Sequence, residues 1–320
     1  MRITELTNIT KPPSTDRTRS FIDQVVTESP LLRNLNNFGL GATNHNYRPS
    51  AGTQQLASRA KGGNFSPEDL DQAALLAASL KIHGFSLDYD HSYQADHDLG
   101  IGVDIDPWLE AELQNRGIDT SEEIERLIIA GDGQGDNIEG IHSILDGSTN
   151  LPGLGITGVI DAAPSSNSLD LGDEANWEQF MEDFRKWQAD MKGADMVICN
   201  ESMAARLTSI SRKLNSDGET RDLFGVEIDT INRLPIVAVD DTVITNTEPD
   251  NAGTANNDTT SILLAKNRVG HWTIRSNSGL ATWDVGELPD KQSNRWKFEV
   301  RGFNEVRTKR SIRRVRALKL

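Results

Sequence analysis

Trp177, Phe180, Met181, Phe184, Trp187 and Met191 recur at three- and four-residue steps, and Gly193 follows where a helix would stop. That spacing gathers large apolar side chains on one face of a single helix starting near Asp173, and such a face has to be buried. Met196-Val197-Ile198-Cys199 then reads as a buried strand, and a second helix, capped near Asn200, carries Met203, Leu207, Ile210 and Leu214. A helix–strand–helix unit of this kind covers one face of a small sheet, so the sequence points to an α+β fold. Aromatic and methionine stripes are far more often core than cofactor boxes, and this one is read as core.

The 320-residue chain has room for two compact lobes or one α/β body with insertions. With 36% hydrophobic and 25% charged residues it suits a globular protein, and no apolar run is long enough to cross a bilayer. Met1 to Glu5 has none of the apolar character of a secretory signal. Cys199 is the single cysteine, which excludes intramolecular disulfides and fits a reducing assembly compartment; a catalytic thiol is the alternative reading. The net charge of −15 is unevenly spread. Residues 295–320 hold ten basic side chains against Glu299 and Glu305, residues 1–64 hold eight against four acids, and the stretch between carries about −27. Copies of one chain with that pattern can attract head to tail. The alternative is a solvated acidic surface with a solvated basic tail. Neither resembles the compact basic face of a sequence-reading DNA-binding module.

Along the chain, the first twenty residues are polar, contain Pro12-Pro13, and read as an arm without a core. Ser20 to Leu35 is helix-like, with a break at Ser29-Pro30. Residues 44–61 read as an extended excursion ending at Gly62-Gly63, Ser66-Pro67 as a helix start, and Lys81 to Asp90 as a half-buried strand by its alternation. These segments together suggest a projecting hairpin. A helix starts at Asp106-Pro107; Gly117 is expected to interrupt it, and Thr120 with Glu123 to restart it as a capping box. Gly131 to Gly140 reads as a polar turn before a short helix at Ile141. Pro235 to Val239, Ser261 to Ala265 and Trp296 to Arg301 read as strands, with a surface loop at 245–260. Ile312, Val315 and Leu318 are spaced by three, so the basic C-terminal region need not be a free tail.

The search for chemistry yields little. Asp88, Asp90, His91, Asp96, His97 and Asp98 form the densest group of metal-ligand types, but an extended segment spreads them, so an acidic exposed loop is the expectation and weak divalent-cation binding the alternative. The 131–140 turn lacks the spacing of a phosphate loop and the ligand order of a calcium loop, although Asp132, Asp136 and Glu139 could meet there. His142 and Ser143 are adjacent, with no visible acid to orient them. No catalytic group, cofactor site or metal site is assigned, and the chain is not expected to be an enzyme.

Read in order, several segments resemble the major capsid proteins of tailed phages and haloarchaeal tailed viruses, a fold shared with encapsulins. Ser29-Pro30-Leu31-Leu32 and Tyr47-Arg48-Pro49 are similar to the family's arm running into its extended loop. Asp104-Ile105-Asp106 and Ile129-Ala130-Gly131-Asp132 bracket a segment like its spine helix, and Glu139-Gly140-Ile141 is like the start of the next helix. Asp195 to Asn200 resembles the axial-domain strand, and Leu234-Pro235-Ile236-Val237 with Asp240 resembles a Gly-Ile-Pro-Ile strand in which Leu234 replaces the usual glycine. The resemblance implies an N-terminal arm at 1–43, an extended two-stranded loop at 44–98, a peripheral domain with the spine helix at 99–150, an axial domain at 151–284, and a return to the peripheral domain at 285–320. It implies a shell of hexamers and pentamers that encloses double-stranded DNA without reading its sequence, assembled in a host cytoplasm. It also implies a separate scaffolding protein, a portal and decoration proteins as partners, and no membrane. Arg48, Lys61, Arg307, Arg313, Arg314 and Arg316 are the expected contacts between subunits. An encapsulin-type nanocompartment is the alternative, and a metal-dependent enzyme the more distant one.

Overall fold

The computed structural model describes residues 16–35, 37–39, 44–47, 76–90, 105–147, 158–164, 166–214, 220–221, 227–250, 253, 258–268, 271–276, 280–287, 293–308 and 310–320. Helices α1 (Asp16–Glu28) and α2 (Pro30–Asn34) precede strands β1 (Asn37–Gly39), β2 (Asn44–Tyr47), β3 (Leu76–Ser79) and β4 (Lys81–Asp90). Helices α3 (Ile105–Ala130) and α4 (Ile141–Gly147) are followed by β5 (Val159–Asp161), β6 (Leu169–Asp170), α5 (Trp177–Asp190), β7 (Met196–Asn200) and α6 (Glu201–Lys213). The remainder is strand: β8 (Thr220–Arg221), β9 (Glu227–Ile228), β10 (Thr230–Ile231), β11 (Leu234–Val239), β12 (Thr259–Ala265), β13 (Trp272–Ser276), β14 (Leu280–Glu287), β15 (Ser293–Val306) and β16 (Ile312–Lys319).

A seven-stranded mixed sheet, β10-β11-β7-β12-β16-β5 with β6 also on β16, forms the centre. Its strands are covered on both faces, which is why β7 and β12 are buried at every position rather than alternating. Val197 and Cys199 face the stripe of α5 and the apolar side of α6, while Met196 and Ile198 face a second core shared with α1, α2 and α3. Phe180, Phe184 and Met191 are fully enclosed, as the helical spacing requires. Asp173 caps the turn that leads into α5, Gly193 leaves it at φ +91°, and Asn200 caps α6 by accepting from Met203 N at 2.8 Å.

The spacing of Ile312, Val315 and Leu318 has a specific explanation. Ile312 lies in one core and Val315 with Leu318 in the other, although strict alternation would separate the last two. Ala317 sits at φ +62°, and the pairing of β16 on β12 slips between Thr260 and Ile262, so a bulge resets the faces.

The five-stranded sheet is organised by β15, which pairs with β14 and β4 along its first part and with β13 along its last. β15 thus joins this sheet and the next strand, β16, joins the other. Three features differ from the sequence reading. Lys81–Asp90, read as half of a projecting hairpin, is instead paired with β15 over ten positions, while Asn44–Tyr47 pairs with Leu76–Ser79 in a separate two-stranded unit. The N-terminal arm is not weakly cored from Phe21 onward. Phe21 lies 5.1 Å from the rings of both Trp296 and Phe298, and Val25 and Leu31 are fully buried. Gly117 does not interrupt α3: a Cβ there would stand 3.0 Å from Gln24 Cγ, so the glycine lets α1 cross close to α3. The capping box at Thr120 is absent as well, since Glu123 pairs with Arg126 at 2.6 Å. The expected helix at Ser66-Pro67 and the first fifteen residues lie outside the described residues.

Two glycines in this region should respond differently to substitution. A Cβ on Gly84 of β4 would meet Phe298 O at 2.0 Å, a backbone atom that cannot swing away. Gly84→Ala is expected to cost about 2–3 kcal/mol through forced separation of β4 from β15. Gly117→Ala meets the flexible Gln24 side chain, with the Phe21 ring at an ordinary contact distance of 3.8 Å, and gains helix propensity, so it should stay within about 1 kcal/mol of the parent. Denaturant unfolding midpoints decide between these outcomes.

Candidate functional site

Among the described residues the groups that chemistry would need are not brought together. Cys199 is enclosed in the sheet, and burial, reinforced by the Asp241 charge, pushes its thiol far above the usual range. Burial, with the Arg314 charge adding to it, pushes the His142 imidazole down to about 3, so it is neutral at ordinary pH. Asp88 is held by Arg295 in a two-pronged ion pair at 2.5 and 2.7 Å across β4 and β15. His91, Asp96, His97 and Asp98 lie outside the described residues. The 131–140 turn is built for its own closure. Gly140 N donates to Gly131 O at 2.8 Å, and Asp132 Oδ1 accepts from Gln134 N at 3.0 Å and Asn137 Nδ2 at 2.9 Å. Among the described residues no group of three or more His, Cys, Asp or Glu side chains is placed to hold a metal, and no helix is long and apolar enough to cross a membrane.

The expected contact residues fall into distinct environments. Arg48 and Lys61 lie outside the described residues. Arg314, expected at an interface, is instead buried within the chain. Its guanidinium meets Asp146 Oδ2 at 2.5 Å, Glu248 Oε1 at 2.9 Å and Ser261 Oγ at 3.1 Å. This group ties β16 to α4 and to the 240–250 segment, so that segment is anchored by a buried carboxylate and is not wholly a surface loop. Arg307 pairs with the fully buried Glu305, and Arg316 with Asp161 on the neighbouring β5. Arg313 lies 3.7 Å from Asp190. Much of the C-terminal positive charge is therefore matched by carboxylates of the same chain. Glu248 had no sequence signal, because it lies in a polar Asn- and Thr-rich stretch, and its importance follows only from pairing with β16.

A second buried carboxylate holds the N-terminal helices to α3. Glu125 Oε1 accepts from Ser29 Oγ at 2.5 Å and from Leu31 N at 3.0 Å, while Ser29 Oγ caps α2 by accepting from Leu32 N at 3.0 Å. Burial pushes the Glu125 carboxyl up to about 7. The two hydrogen bonds oppose that rise, and the Glu122 and Asp240 charges add to it.

With that geometry in view, comparison with known proteins bears on the fold. No family model matches the chain, and no curated protein matches its sequence. Solved structures do match. The holo-SrpI encapsulin of Synechococcus elongatus is similar with a TM-score of 0.54 at 13% identity, over 90% of this chain and 87% of that one. The capsid of the native GTA particle gives a TM-score of 0.56 at 13% identity, over 91% and 90%. A virus-like particle from Pyrococcus furiosus gives 0.53 at 12%, over 94% and 98%. The chain has the capsid fold shared by tailed viruses and encapsulins. That fold covers nearly the whole chain, as the order of segments in the sequence implied.

The two buried carboxylates give separate predictions. Arg314→Met strands Glu248 without its cation and is expected to cost about 3–5 kcal/mol, most of it regained when Glu248 is also made apolar. Urea unfolding of both variants tests this. An acid whose pKa is raised on folding contributes stability while protonated, in full below its ordinary value. For Glu125 that contribution shrinks as pH rises from 4.5 through about 7. Glu125→Gln should flatten the fall in unfolding midpoint between about pH 5 and about pH 8.

Proposed function

We propose that the chain is the structural subunit of a closed icosahedral shell, a major capsid protein that assembles through hexamers and pentamers around double-stranded DNA. The observation that carries this reading is a likeness extending over nine-tenths of the chain to subunits of different shells. The chemistry of the molecule supports it. Large heterologous assemblies need repeated interfaces of modest strength rather than one strongly apolar patch. The only large hydrophobics recorded as exposed among the described residues are Ile82 and Ile118. The acidic bulk favours a lining that repels packed DNA and lets it leave without sticking.

The finer organisation is part of the same proposal: an arm at 1–43, an extended loop at 44–98, a peripheral domain at 99–150 built on α3, an axial domain at 151–284 and a return at 285–320. Assembly in a host cytoplasm with a separate scaffolding protein, portal and decoration proteins goes with it. Surface cations such as Arg316 and Arg307 remain candidates for contacts between subunits, whereas Arg314 acts within its own subunit. An encapsulin-type compartment is the second reading, favoured by the similarity to the Synechococcus elongatus encapsulin.

Electron microscopy of the expressed chain should show closed particles; soluble monomers alone would sink the proposal. Nuclease-resistant DNA inside native particles is the expected content. A packaged enzyme in its place would select the encapsulin reading.

A further inference from the structure

Three connections meet at one end of the seven-stranded sheet: the turn after α5, the link from β12 to β13, and the link from β15 to β16. Hydrogen bonds lock them together. Lys266 Nζ donates to the carbonyls of Met191 and Lys192, the latter at 3.2 Å, and Lys266 N donates to Ser311 O at 2.7 Å. Arg307 N donates to His271 O at 2.9 Å, and Thr308 Oγ1 lies 3.2 Å from His271 Nδ1 and 3.0 Å from Ser311 Oγ. The result is a platform that presents Lys192, Arg268 and Arg310 above the buried Lys266 and beside His271. Among the described residues the carboxylate paired with this group is Asp195, which binds Arg268 with both oxygens. Among the described residues no ion pair engages Lys192 or Arg310. The crowding lowers the pKa of both Lys266 and His271, with burial the larger cause and the neighbouring cations next.

The other end of the same sheet has the opposite character. β7 is preceded by Asp195 beside the platform and followed by Glu201, and Asp240 and Asp241 follow the parallel β11 at that same far end. Asp119 and Glu122 of α3 approach that end, and the Asp240 and Asp119 charges help to raise the Glu122 pKa after burial. Among the described residues no ion pair links Asp119, Glu122, Glu201, Asp240 or Asp241 to a cation. A strand of five residues spans about 15 Å, beyond the screening length at physiological salt, so the two ends of one subunit do little to neutralise each other.

We propose that the cationic platform around Arg268 and Arg310 docks on the carboxylate end, around Glu122 and Asp240, of a second copy of this chain. Such a contact is head to tail and repeats around a ring, because the two surfaces differ and lie at opposite ends of one sheet. The proposal rests on the shell-subunit reading and specifies which charges join its copies. It also moves the attraction implied by the basic C-terminal composition from the buried, internally paired Arg314 to the platform.

The test is a charge swap read by sedimentation velocity at low and high salt. Lys192→Glu with Arg310→Glu should weaken self-association about tenfold at low salt, and so should Asp119→Lys with Glu122→Lys. An equimolar mixture of the two double variants, or the quadruple variant alone, should regain it, since opposite charges then meet again. That recovery separates lost contact from misfolding. Double variants that associate like the parent, or a quadruple variant as weak as either, would overturn the contact. So would a platform variant that associates normally but loses nucleic acid from its particles. Rings that respond to the swap without closing into shells would support the contact while removing the shell reading.

Discussion

Burial of the seven-stranded sheet on both faces is the constraint from which the rest of the molecule follows. A sheet whose strands are apolar on both sides cannot tolerate water on either, so it needs two separate layers of cover. α5 and α6 supply one through a stripe that includes two tryptophans and two phenylalanines. The other is not a dedicated layer. It is assembled from α1, α2, α3 and the aromatic side chains of β4 and β15, so the N-terminal helices and the five-stranded sheet belong to the same core as β7. This shared core explains why Glu125 is buried. Docking α2 against α3 encloses a carboxylate that then satisfies Ser29 and a backbone amide.

What the sequence disclosed depended on the range of the interaction. The α5 stripe, the β7 run and the Asn200 cap are local patterns, and each lies where the spacing of its residues put it. Gly117 failed as a helix breaker because its cost is about 1 kcal/mol, which the packing of α1 over it outweighs. Lys81–Asp90 was legible as a strand but not as a partner of β15, since a register joining residues some two hundred positions apart leaves no local mark. The fate of Arg314 was hidden for the same reason. Composition counted it with a basic tail, whereas pairing with β12 draws it inside, toward Glu248.

The charge pattern shows the same limit. A count of basic residues locates charge along the chain but not the charge left over once internal pairs are made. Arg307 and Arg316 pair with carboxylates beside them or on the adjacent strand, Arg314 pairs with Asp146 of α4 and with Glu248, and the platform cations come from three separate parts of the sequence. What one subunit presents to another is thus set by strand order, which gathers the ends of β7, β12 and β16 at one edge.

The position of β15 and β16 has a consequence for biosynthesis. Residues 293–306 lie between β4 and β14 in one sheet, and residues 312–319 lie between β12 and β5 in the other. Neither sheet can close on a ribosome-bound chain until these strands have emerged, so both cores wait for the same stretch of polypeptide. A polypeptide interrupted before residue 293 has no central strand for one sheet and a split in the other. Products interrupted there are thereby barred from offering a finished surface to another copy.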